Sequence, residues 1–187
     1  MSQAPSDWIR AATAAMRKGG VEAIRVEALA RDLGVTKGSF YWHFRDRKAL
    51  LEGLLRSWEE ETHWLIREAA RADTPRDRFR RFFELATGSA YPPDFAIFAW
   101  ARTSRAVAAR VQAVEEVRIG FFAKQFRSAG FPAKEARRRA AVGYAATLGF
   151  LERNHRTQGT AGSFRASADE VFDILLEAPG NTAGAMD

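Results

Sequence analysis

The hydrophobic positions of this chain recur every three or four residues in one segment after another, which is typical of amphipathic helices. Val26, Leu29, Ala30 and Leu33, for example, fall on one face of a short helix. We find no pair of alternating segments that would predict neighbouring strands, and no internal repeat. The pattern therefore predicts an all-α fold.

Two of these short helical patterns meet across a tight turn. Gly34 ends the first, since glycine accepts the left-handed backbone found at helix C-termini, and Thr36 is placed to cap the second with its hydroxyl. The second helix, predicted over residues 37–44, turns Phe40 and Phe44 inward. Its other side chains are left for a partner: Lys37, Ser39, Tyr41, Trp42 and His43. This arrangement is typical of a helix-turn-helix, whose second helix enters a major groove.

A longer apolar stripe begins after Asp46, which is placed to cap a new helix. The stripe contains Leu50, Leu51, Leu54, Leu55 and Trp58, and it continues through Leu65, Ile66 and Ala69. A helix of this length would join the N-terminal part to the rest of the chain. We therefore expect a helix-turn-helix domain at residues 1–50, a helical domain at 51–178 and a flexible tail at 179–187.

Capping signals divide the second domain into further helices. Thr74 with Pro75 marks one start, Asp94 marks another, and Gly130 ends a long helix. Residues 88–94 and 154–166 are predicted to be loops. Ser167 and Glu170 have the spacing of a capping box, which predicts that the last helix begins there.

Composition excludes several classes of protein. The 187 residues contain no cysteine, so neither a disulfide framework nor a thiolate metal site is possible. No apolar stretch approaches the ~20 residues of a membrane span, and the first residues lack the pattern of a signal peptide. We expect a cytoplasmic protein without a membrane segment. The three histidines show no metal-ligand spacing and no glycine-rich loop follows a strand, so we expect no catalytic site, no metal and no cofactor.

Positive charge is concentrated at the N-terminal end. Residues 1–56 hold ten of the 29 Lys and Arg but six of the 23 Asp and Glu, which places four of the six excess positive charges there. A basic region beside a helix-turn-helix is the distribution expected of a protein that binds phosphates. The alternative is a basic face that is merely solvated.

The stretch GVTKGSFYWHF, followed by RDRKALL, resembles the N-terminal domain of the tetracycline-repressor (TetR) family. The resemblance covers about residues 8–55, roughly the first quarter of the chain. It implies a homodimeric, ligand-responsive transcriptional regulator, usually a repressor, that binds palindromic operator DNA and is released by a small effector. A DNA-binding protein without small-molecule control and an activator remain the alternatives.

Carried over by position, the resemblance supplies a set of DNA contacts. They are Arg25, Thr36, Lys37, Gly38, Ser39, Tyr41, Trp42, His43 and Arg47. Arg47 stands where the family has a phosphate-binding lysine, whereas Arg25 replaces a capping threonine. Tyr41 and Trp42 have core packing as an alternative role, and His43 that of an ordinary surface or capping histidine.

The last two helices have the composition of an interface between subunits. Small residues dominate residues 136–153, and two glycines there favour close contact between backbones. We expect homodimerisation through residues 136–153 and 167–177, because a dimer presents two reading helices to paired half-sites. The alternative is that both helices pack within one chain.

Aromatic side chains are frequent in the second domain, and the resemblance suggests an effector cavity among them. The candidates are Trp64, Phe83, Trp100, Arg102, Phe122 and Tyr144. Several of them combine a planar body with a polar group, as ligand sites require. We expect a small apolar or aromatic effector, anionic if Arg102 lines the site. A plain hydrophobic core is the alternative.

Overall fold

The computed structural model describes residues 4–87, 94–157 and 159–177, and in these ranges the chain is helical without strands, as predicted. The helices are α1 (Pro5–Gly19), α2 (Val26–Asp32), α3 (Lys37–Tyr41), α4 (Arg47–Ala69), α5 (Pro75–Ala86), α6 (Asp94–Ala101), α7 (Arg105–Ser128), α8 (Ala133–Arg156) and α9 (Ala161–Leu176). A 3₁₀ turn at Val21–Ala23 precedes α2.

The chain forms two compact units, and the first is built from two separate stretches, Met1–His63 and Pro92–Val114. Its core joins Trp8, Phe40 and Leu50 of the first stretch with Ile97 and Val107 of the second, all of them almost fully buried. This division differs from the contiguous domains expected at 1–50 and 51–178. The reason is that α6 and the first half of α7 supply apolar side chains to the core beneath the helix-turn-helix.

Polar contacts add to the packing of α6 and α7 in the first unit. The indole Nε1 of Trp58 donates a buried hydrogen bond of 2.9 Å to Oδ1 of Asp94, the first residue of α6. Arg110 of α7 donates to Glu59 from Nε at 2.6 Å and to Glu52 from Nη1 at 2.8 Å. These contacts orient α6 and α7 against α4, because hydrogen bonds to charged groups are directional and hold the two helices of each pair in one arrangement.

The second unit comprises Trp64–Tyr91 and Glu115–Asp187. Its core is a cluster of aromatic rings from α5, α7, α8 and α9. In one stacked pair, Phe79 with Phe172, the ring centroids are 4.0 Å apart. The buried members are Phe79, Phe82, Phe83, Phe121, Phe122, Phe126, Tyr144, Phe164 and Phe172.

Helices α8 and α9 pack closely at Gly143. A Cβ atom at this position would lie 3.0 Å from both Leu175 Cδ1 and Phe172 Cε1, so a larger residue would push α9 away. Ala136 and Ala140 on the same helix are also fully buried. Part of the small-residue pattern of α8 is therefore explained by packing within one chain.

Several helix ends agree with the sequence analysis. Gly34 and Gly130 have φ of 69° and 97°, as glycines that end helices often do. The Asp46 carboxylate accepts the Ala49 N–H at 2.7 Å, and the Thr74 hydroxyl accepts the Asp77 N–H at 3.1 Å. Thr36 precedes α3 as expected, but its hydroxyl makes no capping hydrogen bond.

The prediction for the last connection was wrong. Helix α8 runs to Arg156 and α9 begins at Ala161, so most of the loop expected at 154–166 is helical. The Thr160 hydroxyl accepts the Ser163 N–H at 3.1 Å and caps α9, in place of the Ser167 box. Asn154 strengthens this earlier start by donating to the Thr160 carbonyl at 2.9 Å. The loop expected at 88–94, except Asp94, and the tail at 179–187 lie outside the described residues.

No helix within the described ranges is both long enough and apolar enough to cross a lipid bilayer.

Candidate nucleic-acid interface

Aromatic packing holds α3 on the core of the first unit. Phe40 is fully buried, and its ring meets that of Trp8 edge-on at 5.3 Å and stacks on that of Phe44 at 5.6 Å. The turn before α3 is closed by the Val35 N–H, which donates to the Ala30 carbonyl at 2.9 Å. The buried Phe40 ring and the turn before α3 therefore fix α2 and α3 relative to each other.

The opposite face of α3 is exposed. Tyr41 is 54% exposed and Trp42 86%, which excludes core packing as the role of either ring. Thr36, Lys37 and Gly38 are exposed as well, and Ser39 is half-buried. Helix α3 ends at Tyr41, earlier than the predicted residue 44, but the N–H groups of residues 43 and 44 still donate to the Phe40 carbonyl. The polar and aromatic side chains therefore form one short outward surface.

Lys37 is tied to an acid of α2. Its Nζ lies 2.5 Å from Oε1 of Glu27, and both side chains are exposed. The hydrogen bond from Lys37 lowers the pKa of Glu27, and the same bond raises the pKa of Lys37. Sequence reasoning did not predict that Glu27 holds the cation assigned to phosphate.

Arg47 contacts the backbone before α2. Its Nε donates to the Ile24 carbonyl at 2.7 Å, and its Nη2 donates to the Val21 carbonyl. The guanidinium thus holds the 3₁₀ turn against the start of α4, a role that sequence reasoning did not give it. Arg25 lies at the N-cap of α2, exposed and without a side-chain capping hydrogen bond.

His43 is less accessible than expected of an outward-facing contact. The residue is half-buried, and its Nε2 is buried without a hydrogen-bond partner among the described residues. Donation from Nε2 to a phosphate would therefore require the ring to turn.

The six candidate effector residues are divided between the two units. Phe83, Phe122 and Tyr144 are buried in the second unit, where the Phe83 and Phe122 rings lie 5.9 Å apart and the Phe122 and Tyr144 rings 6.4 Å apart. Trp64, also of the second unit, is 44% exposed. Trp100 and Arg102 belong to the first unit, in which Trp100 packs on the core and Arg102 is exposed.

Sequence reasoning overlooked Arg118, which is only 7% exposed in the second unit. Its position on α7, between apolar turns, gave no signal because arginine is common on the solvent face of such helices. A buried guanidinium is a strong polar group, and it is costly to bury without partners. Arg118 therefore belongs with Tyr144 among the buried polar side chains of this unit.

Helices α8 and α9 also present apolar side chains to solvent. Val142 is 59% exposed and Ile174 60%. On α8, Ala141, Ala145 and Gly149 are exposed along the same helix, and a Cβ atom added to Gly149 would meet no neighbouring atom within 4 Å. Packing within the chain therefore accounts for Gly143 but not for this second row of small residues.

Within the described ranges, no group of three or more His, Asp or Glu side chains is arranged to hold a metal ion.

Part of the sequence of the first unit is similar to known regulators. Residues 9–54 match the family model for bacterial regulatory proteins of the tetR family. Over 59 residues, the chain is 39% identical to the tetracycline repressor protein class A from transposon 1721 of Escherichia coli. That alignment covers 32% of this chain and 27% of the repressor, so the chain spans about a quarter of the length of this curated relative.

The fold is similar to solved structures over most of its length. A transcriptional regulator from Rhodococcus sp. Rha1 gives a TM-score of 0.76 at 18% identity, covering 93% of this chain and 96% of that one. A transcriptional regulator of the TerR/AcrR family from Aquifex aeolicus VF5 gives 0.65 at 16% identity, covering 91% and 98%. Over residues 9–54, which include the helix-turn-helix, the chain is similar to the tetR family of bacterial regulatory proteins.

Proposed function

We propose that this protein is a transcriptional regulator, a repressor that binds palindromic operator DNA as a homodimer and is released by a small effector. The observation that carries the proposal is the outward surface of α3, where Tyr41 and Trp42 are exposed beside Lys37 while Phe40 is fully buried. Large aromatic side chains that are exposed next to each other favour a surface that a partner covers.

The side chains of this surface suit a DNA groove. Lys37 neutralises a phosphate once it leaves Glu27, and Tyr41 donates to a phosphate oxygen. Ser39 reaches a base edge, Gly38 allows the backbone to approach, and Trp42 packs on a sugar or a thymine methyl. Thr36, Arg25, His43 and Arg47 complete the proposed contact set, and Arg47 would keep its backbone contacts while it offers its remaining N–H groups.

Dimerisation would use α8 and α9 over residues 136–153 and 167–177. The exposed Val142 and Ile174 and the row Ala141, Ala145 and Gly149 support this choice, because an apolar row of small residues lets two helices approach closely. A two-fold dimer would present two α3 helices to half-sites that are about 34–36 Å, or a multiple of this, apart.

The proposed effector is a small apolar or aromatic molecule that binds in the second unit. Phe83, Phe122 and Tyr144 would line its site, with Arg118 as a buried cation. The effector releases DNA if it binds the DNA-incompetent conformation more tightly. One observation favours the alternative of a regulator without small-molecule control. The Phe79 and Phe172 rings are stacked at 4.0 Å, as in a filled core.

The decisive experiment is selection of bound sites from random duplex DNA with the purified full chain. We expect a palindrome whose half-sites are separated by one helical turn or a multiple of it. Enrichment of no sequence, together with no binding of any duplex at low salt, would overturn the proposal. A panel of aromatic and acyl compounds that changes neither melting temperature nor DNA affinity would favour the alternative without an effector.

A further inference from the structure

A cleft of about 640 Å³ opens between α1 and α4 in the first unit. Its apolar lining comes from Ile9, Phe44 and Gly53. Gly53 allows the two helices to come together, since a Cβ atom there would lie 3.3 Å from Ile9 Cδ1. The volume falls in the range of about 300–1,000 Å³ typical of sites for small molecules. The cleft is thus an apolar concavity of useful size outside the surface assigned to DNA.

The sides of the cleft carry more positive than negative charge. Three arginines and a single acid, Glu60, line it. Arg10 pairs with Asp7. The side chains of Arg17 and Arg56 are exposed, and neither makes a hydrogen bond or an ion pair with another side chain or the backbone in the described part of the chain. Two guanidinium groups without partners beside an apolar surface favour an anion, because guanidinium matches a carboxylate in geometry and charge.

We propose that this cleft binds a small organic monoanion in which a carboxylate is joined to an apolar or aromatic body. The body packs against Ile9 and Phe44, and the carboxylate is bound by Arg17 and Arg56. Glu60 disfavours a second negative charge, so a monocarboxylate binds more tightly than a dicarboxylate of the same shape. None of the six residues assigned to the effector lines this cleft, so the site is separate from the one proposed above.

The position of Phe44 gives the site a physical connection to α3. The Phe44 ring stacks on Phe40 with centroids 5.6 Å apart, and Phe40 is the buried anchor of α3. A ligand body against Phe44 therefore contacts the ring that supports the outward surface. Any effect on DNA affinity rests on the proposed function, whereas binding in the cleft does not.

Isothermal titration calorimetry of the full chain, without DNA, tests the site with 2-naphthoate. We expect one naphthoate per chain, with binding about tenfold weaker for the uncharged 2-naphthamide and for naphthalene-2,6-dicarboxylate. The double variant Arg17→Ala/Arg56→Ala should lose about tenfold in affinity by removing the charge. Ser57→Phe should lose as much by filling the cleft.

Lys18→Ala is the matched control, because it removes an exposed cation from the same turn of α1 outside the cleft. It should bind naphthoate like the unchanged protein. Melting temperatures identify any variant that fails to fold. If the double arginine variant does not fold, Ser57→Phe alone tests the site. The inference is overturned if naphthoate does not bind at millimolar concentration. It is also overturned if the folded Arg17→Ala/Arg56→Ala and Ser57→Phe variants bind naphthoate as tightly as the unchanged protein does. If the protein binds naphthoate but no duplex DNA, the inference about the cleft stands and the proposed function is wrong.

Discussion

Lys37 is the residue whose neighbours matter most for the proposed DNA contacts. Its ammonium is already hydrogen-bonded to Glu27, so phosphate and carboxylate compete for one cation. Replacing Lys37 by Ala should weaken binding about equally for all sequences and lower the salt slope by about one unit. Binding measured at several salt concentrations checks this. An unchanged slope would mean that Lys37 contacts no phosphate.

Glu27→Gln should have the opposite effect. The amide keeps the shape of the side chain but removes the charge that holds Lys37, so DNA binding should become tighter by at most a few-fold, since exposed ion pairs are weak. Asp32→Asn is the matched control, because it removes an exposed acid from the same helix. Equal tightening in both variants would point to net charge instead of the specific pair.

Arg47 has two roles that one measurement of DNA binding cannot separate. Its hydrogen bonds to the Ile24 and Val21 carbonyls predict that Arg47→Ala lowers the free energy of unfolding, by about 1–3 kcal/mol. Urea unfolding measures this directly. If Arg47→Ala weakens DNA binding but leaves the free energy of unfolding unchanged, Arg47 contacts a phosphate and does not stabilise the fold. Because the bonds join residues more than twenty positions apart, spacing along the sequence could not reveal them.

At the scale of single helices, exposed apolar residues on α8 and α9 identify the proposed dimer contact. Val142→Arg and Ile174→Asp should each produce monomers at micromolar concentration, because a charge would be buried without a partner. Sedimentation velocity gives the mass. Val117→Arg, at an exposed apolar position of α7, is the control and should leave the mass unchanged. Dimers that persist in both interface variants would contradict the assignment.

Helix α9 is also joined to α5 by a charged pair that should make stability depend on pH. Arg76 donates to both carboxylate oxygens of Asp173, and this hydrogen bond lowers the pKa of Asp173 below its ordinary 3.8. The stabilisation is therefore present above the ordinary value and lost as the pH falls through the lowered one.

Thermal unfolding of the protein and of Asp173→Asn should show this. The unchanged protein should melt at a higher temperature near pH 7, and the difference should shrink below pH 3.8 and in 1 M salt. If the difference in melting temperature is the same near pH 7 and below pH 3.8, the asparagine acts through packing and not through the lost charge.

Local signals in the sequence predicted helix ends well where a single residue decides the backbone. Gly34 and Gly130 take left-handed conformations that other residues rarely adopt. The same reasoning misplaced the start of α9, because Thr160 and Ser167 are both good caps. The choice between them depends on Asn154, which supports the earlier start from another helix.

For the candidate interface, burial followed from periodicity. Phe40 faces inward and Tyr41 and Trp42 face outward, as the spacing predicted. Periodicity did not predict the ion pair between Lys37 and Glu27. Lys37 and Glu27 lie on different helices, and only the angle of the turn between α2 and α3 brings them together. The α1–α4 cleft was missed for the same reason, since its lining residues are scattered from Pro5 to Glu60.

For the whole molecule, the most consequential departure from the sequence-based expectation is the composition of the first unit. Hydrophobic periodicity marked α6 and α7 as helices, but it gave no indication that their apolar faces belong beneath the helix-turn-helix. Ile97, Val107 and Val111 are nearly as buried as Trp8 and Leu50 in the same core. Contacts between residues so far apart arise from topology, which a local pattern does not encode.

The interrupted first unit has a consequence during synthesis. When a ribosome has made residue 63, about fifty residues remain before Val114, the last residue of this unit, exists. At roughly 5–20 residues per second, that delay lasts about 3–10 s. During it, the apolar side of α4 lacks the helices that cover it in the finished protein. We therefore expect the nascent chain to bind chaperones that recognise exposed hydrophobic segments.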